Sequence, residues 1–268
     1  MTNPRSLPKT IPGLTGDAHM VDWDKNKIGR YWGVFGNITP KAPWFSEKAA
    51  GWLLKNIKNE AWRNGLSGKD MEIIDLGAGS GKFLIDLGKT FKAKVSGMDI
   101  SEERIAKAAK KHPDINYFQG TLDSVPVKDN RFDIVISTQT VEHLLDEDLQ
   151  TSFDEMARIL KPGGMLFITT RFNEDLSSGW KVCPDCHAVF QHSQHMQTFT
   201  IKSIGDLCIK AGLIDHVGYR SRCRDHMHDF VPRRWRLLER FAYLFLSNFF
   251  DKHLGKYLIS VSKKPSMN

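Results

Sequence analysis

From Met71 to about Thr170 the hydrophobic positions switch repeatedly between short unbroken runs and helical spacing. MEIIDL closes on GAGSG, and KFLIDLGKTF then carries apolar residues three and four apart, so a buried strand is predicted to hand over to a helix. KVSGMDI repeats the strand pattern, and SEERIAKAAKKH follows as a helix with a serine N-cap and acids in its first turn. INYFQG and RFDIVIST give a third and a fourth strand, a helix runs from about Asp146 to Leu160, KPGG ends it, and MLFITT is the fifth strand. This alternation predicts an α/β fold with a doubly wound, mostly parallel sheet.

The flanks are patterned differently. Residues 1–70 are aromatic and irregular, with RYWGVFG and APWF, until a helix predicted from Ser46 to about Arg63. Ser46 is its expected N-cap, and Trp52, Leu53 and Ile57 fall on one side. Residues 171–200 hold a cysteine–histidine stretch, CPDCHAVFQHSQH. Beyond it come a helix, a strand, a basic-aromatic insertion at about 222–252 and a last strand, KYLISVSKK. The chain is therefore expected to divide into an N-terminal segment, 1–70, and one domain, 71–268, with two insertions.

Composition narrows this only slightly. The 268 residues are 41% hydrophobic and 26% charged, as in ordinary globular proteins. The net charge, 38 − 31 = +7, favours anionic partners weakly, and a lysine-coated surface explains it as well. Four cysteines in a chain this long fit a reducing compartment better than a disulfide framework. The start, MTNPRSLPKTIPG, lacks the apolar core of a secretory signal, and no uncharged apolar stretch is long enough to span a bilayer. A cytoplasmic protein is expected.

Candidate chemistry begins at Asp75-Leu76-Gly77-Ala78-Gly79-Ser80-Gly81, where the first strand ends. Glycines at such a turn let the backbone bend tightly and approach a ligand closely. Dinucleotide folds use a similar loop, but there pyrophosphate gathers at the helix N-terminus, and the adjacent Asp75 carboxylate would repel it. A cationic amino-acid ligand would be attracted instead. Asp99 ends the second strand 22 positions after Gly77, where a carboxylate can accept both hydroxyls of a ribose. No strand is followed by a glycine run ending in GKS or GKT, which excludes a P-loop.

IIDLGAGSGKF, VSGMDIS, FQGTLDSVPVKDNRFDIVISTQTVEHL and ARILKPGGMLFITT together resemble the class I S-adenosylmethionine-dependent methyltransferases, over about residues 71–219 and the last strand. The resemblance implies a seven-stranded Rossmann-like sheet with an antiparallel last strand, and S-adenosylmethionine as cofactor. It places Asp75, Gly77, Ala78, Gly79 and Gly81 around the methionine portion, Asp99 at the ribose and Ile100 at the adenine. Thr121 and Leu122 stand at the adenine edge, where the family often has an aspartate, and Ser137 and Gln139 face the methyl-bearing sulfur. Glu142 and His143 occupy the acceptor-facing position, with His143 as candidate base and Glu142 as its orienter. A capping or surface histidine is the competing reading.

Cys183 and Cys186 form half of a tetrahedral zinc site, with His187, His192 and His195 in reach of the other corners. A group of bacterial methyltransferases similar to this chain carries Cys-Pro-x-Cys and a later histidine in an insertion after the fifth strand. The expected ligand set is Cys183, Cys186, His192 and His195, holding a structural Zn²⁺ that staples a loop over the acceptor pocket; Cys223, His226 and His228 are further candidates. The alternative is a plain polar loop with a reducible dithiol.

The acceptor side draws on Tyr31, Trp32, Phe35, Trp44 and Phe45, and on the basic-aromatic stretch at about Pro232 to Phe250. That stretch reads as a buried helix, a membrane-surface helix or a lid over a lipid-like acceptor. A nucleic-acid partner is disfavoured, because the basic residues interleave with no RNA-binding motif. The expected function is methyl transfer to a small-molecule or lipid- or glycan-linked acceptor, at oxygen. A nitrogen or carbon acceptor such as a quinone-type ring, or a non-catalytic cofactor-binding subunit, are the alternatives.

Overall fold

The computed structural model describes residues 17–38, 45–67, 70–177, 179–221, 223 and 256–266. Trp44, His226, His228 and the basic-aromatic stretch at 232–250 lie outside the described residues.

The N-terminal segment contributes β1 (His19–Met20), α1 (Lys25–Ile38), the single turn α2 (Phe45–Lys48) and α3 (Ala50–Arg63). The alternating region then gives β2 (Glu72–Leu76), α4 (Lys82–Phe91), β3 (Lys94–Asp99), α5 (Glu102–Lys111), β4 (Asn116–Gln119) and β5 (Phe132–Thr138). A 3₁₀ turn at Val141–His143 leads to α6 (Leu149–Ile159) and β6 (Leu160–Arg171). The cysteine–histidine stretch forms β7 (Trp180–Val182) and β8 (Ala188–Gln191), and α7 (Ile201–Lys210), β9 (Ile214–Ser221) and β10 (Tyr257–Lys263) complete the described chain.

Seven strands form one sheet in the order β4-β3-β2-β5-β6-β10-β9, parallel except for β10, which runs antiparallel to both neighbours. The expected sheet and its reversed last strand are therefore present. Successive residues of β2 show why the apolar runs are unbroken. Ile73 packs with Leu53, Ile57, Phe83 and Leu84 on one face, while Ile74 packs with Phe153, Met156 and Ile204 on the other. A strand covered on both sides needs apolar residues at every position.

Three boundaries differ from expectation. Ser46 lies inside α2, and α3 starts after Ala49 with no side-chain cap, because the chain turns between the two helices. KPGG does not separate a helix from a strand: β6 begins at Leu160, paired with Phe132, and the residues up to Met165 are absorbed as a register shift. Glu142 and His143 sit on a separate 3₁₀ turn, and α6 starts only at Leu149.

Arg158 ties α6 to the long connection between β4 and β5. Its guanidinium donates to Glu155, to Asp129 Oδ1 at 2.6 Å, and to the carbonyls of Val125 and Val127, both at 2.9 Å. These carboxylates hold the guanidinium above its ordinary pKa. The same connection carries Thr121 and Leu122, so this anchor shapes one wall of the cleft described below. Replacing Arg158 by alanine leaves two carbonyls without their donor and should cost roughly 1–3 kcal/mol, read by chemical denaturation; Arg158→Lys, which cannot fork to both carbonyls, should recover only part of it.

Candidate active site

The glycine turn is fixed by the strand beside it. Gly77 and Ala78 donate their N–H groups to the Met98 carbonyl at 2.7 and 2.8 Å, and Gly79 donates to Asp99 Oδ2 at 3.0 Å. Gly77 has φ 89° and Gly79 φ 56°, both in the left-handed region. A Cβ on Gly77 would stand 2.3 Å from Thr140 Oγ1, and one on Gly79 2.3 Å from the Arg104 guanidinium. Thr140 and Arg104 therefore pack directly on the bare backbone of the turn, and the Tyr117 ring occupies the place of a Cβ on Gly81 in the same way.

Two buried carboxylates accompany the turn. Asp99 also accepts from Ser101 N at 3.0 Å and pairs with Arg104 at 3.3 Å, which leaves a lone pair for a further donor. Asp75 lies beneath the loop, with Oδ1 unpartnered among the described residues. Burial, and then the nearby Asp99 charge, push its carboxyl up to about 7. A carboxylate held this close to neutrality is stabilised by a cation and repelled by phosphate. The donor set therefore fits a ligand with cationic sulfur and ammonium groups and a ribose.

A cleft of about 450 Å³ opens over the turn, within the usual range for small-ligand sites. Gly77, Ala78, Gly79, Asp99, Ile100, Thr121, Leu122 and Gln139 all line it. Asp75, Gly81 and Ser137 stand behind that surface. Ser137 is fully buried with an unpartnered hydroxyl, and Gln139 is held at φ 51° by a bond from its N–H to the Thr169 carbonyl. A non-glycine residue in that region costs energy and occurs mainly where the backbone must aim a group.

The opposite wall is assembled from three segments. α1 presents Ile28, Tyr31, Trp32 and Phe35 to the cleft, and Phe45 joins them, as the aromatic run suggested. Lys25 anchors this helix to Asp123 at 2.6 Å and Asp148 at 3.0 Å, while Trp32 donates to Gln194 Oε1 at 3.0 Å and packs edge-on against His143. Tyr31 donates to the His192 carbonyl. His143 keeps an edge toward the cleft, with Nδ1 3.2 Å from the Gln194 carbonyl. Desolvation, then the adjacent His195, push His143 down to about 3, which favours the uncharged imidazole. Glu142 is fully buried behind it, raised by burial against the pull of His195, and accepts from Thr170 Oγ1 at 3.0 Å.

The cysteine–histidine stretch forms a β-hairpin, β7 against β8, and β1 adds to it in parallel as a third strand. Cys183 and Cys186 lie at its turn, where the N–H groups of Cys186 and Asp185 hold the Cys183 thiol below its ordinary value. His192 lies at the other end, its Nδ1 3.1 Å from the Gly179 carbonyl, and His195 turns inward to Glu174 at 2.5 Å. The four expected metal ligands are therefore not brought together, because β8 places the thiols and the two histidines at opposite ends. Among the described residues, the grouping of potential ligands that does form is Glu142, His143 and His195. Thr140 and Arg104 line the cleft and Glu174 stands against His195, yet none was singled out from sequence, because only folding gives them these neighbours.

Residues 74–168 match the family described as methyltransferase domain. The chain is 30% identical over 189 residues to a ubiquinone biosynthesis O-methyltransferase of Nitrobacter winogradskyi, covering 67% of each chain. It is 36% identical over 100 residues to a demethylmenaquinone methyltransferase of Chlorobaculum tepidum, over 37% of this chain and 40% of that one. It thus spans about two fifths of the length of the Chlorobaculum relatives. Among solved structures, phosphoethanolamine N-methyltransferase 2 of Haemonchus contortus, in complex with S-adenosyl-L-methionine, is 18% identical with a TM-score of 0.56, over 95% of this chain and 61% of that one. The [4+2]-cyclase SpnF is also 18% identical, with a TM-score of 0.60, over 92% of this chain and 99% of that one. These structural likenesses show the fold, and the Nitrobacter match over two thirds of both chains, together with the domain match over residues 74–168, shows the family: the chain belongs to the class I S-adenosylmethionine-dependent methyltransferases.

Proposed function

We propose that this protein transfers the methyl group of S-adenosylmethionine to a hydroxyl oxygen of a small or lipid-linked acceptor. The observation that carries the reading is the single cleft in which the glycine turn and Asp99 face an aromatic wall ending at His143. The bound donor supplies a sulfonium methyl that an oxygen lone pair can attack, the sulfur leaving with the bonding electrons and the hydroxyl proton passing to water. Gly77 and Gly79 line the cleft beside the methionine portion, Asp75 balances its positive charge from behind the surface, and Asp99 offers its remaining lone pair to the ribose. Thr121 and Leu122 receive the adenine edge by contact rather than through a carboxylate. Such a transfer needs alignment more than strong acid–base help. Neutral His143 suits that need, because it accepts the acceptor's O–H as a hydrogen bond and so aims the oxygen, with Glu142 fixing the turn that carries it.

The aromatic wall supports a planar or lipid-like acceptor, and the ubiquinone and demethylmenaquinone relatives act on molecules of that kind according to their names. A quinone-type ring carbon is the second reading within the same site. Among the described residues, no helix is long and apolar enough to cross a membrane. A lipid-linked acceptor would therefore be reached from the bilayer surface, a task for which the 232–250 stretch, outside the described residues, has the composition. The thiol pair supports a zinc reading only as half a site, with its other ligands unassigned.

Calorimetry with S-adenosylmethionine and its demethylated product should show both binding, and Asp99→Ala should weaken both by about 10–100-fold, the worth of hydrogen bonds to a charged group. Equal affinity in the variant would remove the donor site from this cleft. His143→Ala should keep that affinity and lower turnover by about 10²-fold or more, measured as label passing from isotope-marked cofactor to polyphenol and quinol-lipid fractions. Labelling of no fraction, with cofactor binding intact, would favour the non-catalytic subunit.

Asp75 makes the affinity depend on pH. In the free protein its carboxyl is protonated below about 7, and a cationic ligand favours the carboxylate, so binding at lower pH must expel a proton. Affinity for the demethylated product should be flat from pH 8 to about 7 and fall toward roughly tenfold per unit below that. Asp75→Asn should bind more weakly and lose this slope; a slope unchanged in the variant would assign the titration elsewhere.

A further inference from the structure

We infer that Glu142, His143 and His195 form a site for one first-row divalent transition-metal ion on the acceptor wall of the cleft, with a coordination position left open for the acceptor hydroxyl. The inference deepens the proposed transfer to oxygen and rests on it for the ion's purpose, though not for its binding.

One ligand atom from each of the three side chains lies within 4.8 Å of the other two. Ligand atoms around an ion at about 2.1 Å stand roughly 3–3.5 Å apart, so small side-chain rotations close the set. Each member is already oriented as a ligand would be. His143 has Nδ1 beside the Gln194 carbonyl at 3.2 Å, and His195 has Nδ1 against Glu174 Oε2 at 2.5 Å. With Nδ1 carrying the proton toward those acceptors, Nε2 of each ring holds the lone pair, the carbonyl- and carboxylate-backed arrangement found behind metal-bound histidines. Glu142 Oε2 is held by Thr170, while Oε1 is fully buried with no partner among the described residues. A buried carboxylate oxygen without a donor is costly, and a cation is what removes that cost.

The backbone holds the set together. The Glu142 carbonyl accepts from Met196 N at 2.8 Å and Gln197 N at 3.0 Å, which ties the turn bearing Glu142 and His143 to the segment bearing His195. The two rings stand 4.9 Å apart, and both line the cleft. Two imidazoles and one carboxylate suit zinc, iron, cobalt or nickel better than magnesium or calcium, and three protein ligands leave room for a fourth from solvent or substrate. An acceptor hydroxyl in that position is aimed by the ion in place of the hydrogen bond to His143 and releases its proton to water more readily. The resulting oxygen attacks the methyl carbon as the carbon–sulfur bond breaks, and sulfur leaves as a neutral thioether.

The test is a cobalt titration of the Cys183→Ser, Cys186→Ser chain saturated with S-adenosylhomocysteine, followed by visible absorption and calorimetry. Removing the thiols prevents the hairpin turn from contributing. One Co²⁺ per chain is expected, with weak d–d bands of nitrogen and oxygen ligation, and Glu142→Gln and His195→Gln should each weaken it at least tenfold. Glu174→Gln, which only supports His195, should give a smaller loss and keeps the test open if His195→Gln misfolds, as judged by circular dichroism. Absence of saturable binding in the micromolar range, or binding that survives these substitutions in folded protein, overturns the metal site. Loss of cobalt with S-adenosylhomocysteine affinity intact leaves the donor reading standing, whereas cobalt binding without any affinity for that nucleoside would sink the donor reading alone.

Discussion

Carboxylates buried at the carboxyl edge of the sheet set the character of this molecule. Asp75 and Asp99 end adjacent strands, and Glu142 follows the next one over, each almost wholly removed from solvent. Taking a carboxylate out of water costs several kcal/mol unless donors or cations replace the lost hydration. Asp99 finds backbone N–H groups and Arg104. Asp75 and Glu142 each keep one oxygen without a partner among the described residues. A fold optimised only for its own stability would place apolar side chains there. The cost is explicable if positively charged ligands complete both places, a sulfonium nucleoside over Asp75 and an ion at Glu142.

The donor wall and the acceptor wall differ in how they are built. The centre of the donor side, the glycine turn and Asp99, comes from one continuous strand–turn–helix sequence and its neighbouring strand, held by bonds between Gly77, Ala78, Gly79 and the end of β3, while Thr121, Leu122 and Gln139 are added from beyond β4 and β5. The acceptor wall joins α1, the 3₁₀ turn and the segment after β8, which are far apart in the chain. β1 adds to the hairpin of the cysteine–histidine stretch, and Tyr31, Trp32 and Lys25 carry bonds across to residues roughly 100–160 positions away. The hairpin thus acts as a bracket for the N-terminal helix and needs no metal of its own to reach the cleft.

This contrast explains what could be read in advance. The central sheet was legible because burial on both faces writes unbroken apolar runs, and because glycines and terminal acids must stand at fixed places for the turn to form. The position of Asp99 followed from the same local logic. His195 illustrates the opposite case. Its spacing from Cys183 and Cys186 suggested a shared ion, yet four residues of β8 separate the thiols from it by most of a strand's length, and Glu174 draws the ring inward. Glu174 itself carried no signal, since an acid after a strand is ordinary until the fold sets it against a histidine. The interruption at Ala49 and the 3₁₀ turn at Val141–His143 were hidden because helical spacing does not report where a helix pauses.

The two walls meet along α1, where Lys25 pairs with Asp123 beside Leu122 and the Trp32 ring lies against the Arg104 guanidinium that pairs with Asp99. They meet again at the stretch from Gln139 to His143. Gln139 lines the cleft in a left-handed conformation, Thr140 fills the space that a Cβ on Gly77 would need, and Glu142 fixes the turn to the segment bearing His195. Donor and acceptor meet across these few residues. On the proposed reading, a shift of the turn by an ångström would move His143 relative to the methyl group while leaving Asp99 in place for the ribose. Rate and cofactor affinity should therefore separate most cleanly for substitutions here, where alignment rather than packing is at stake.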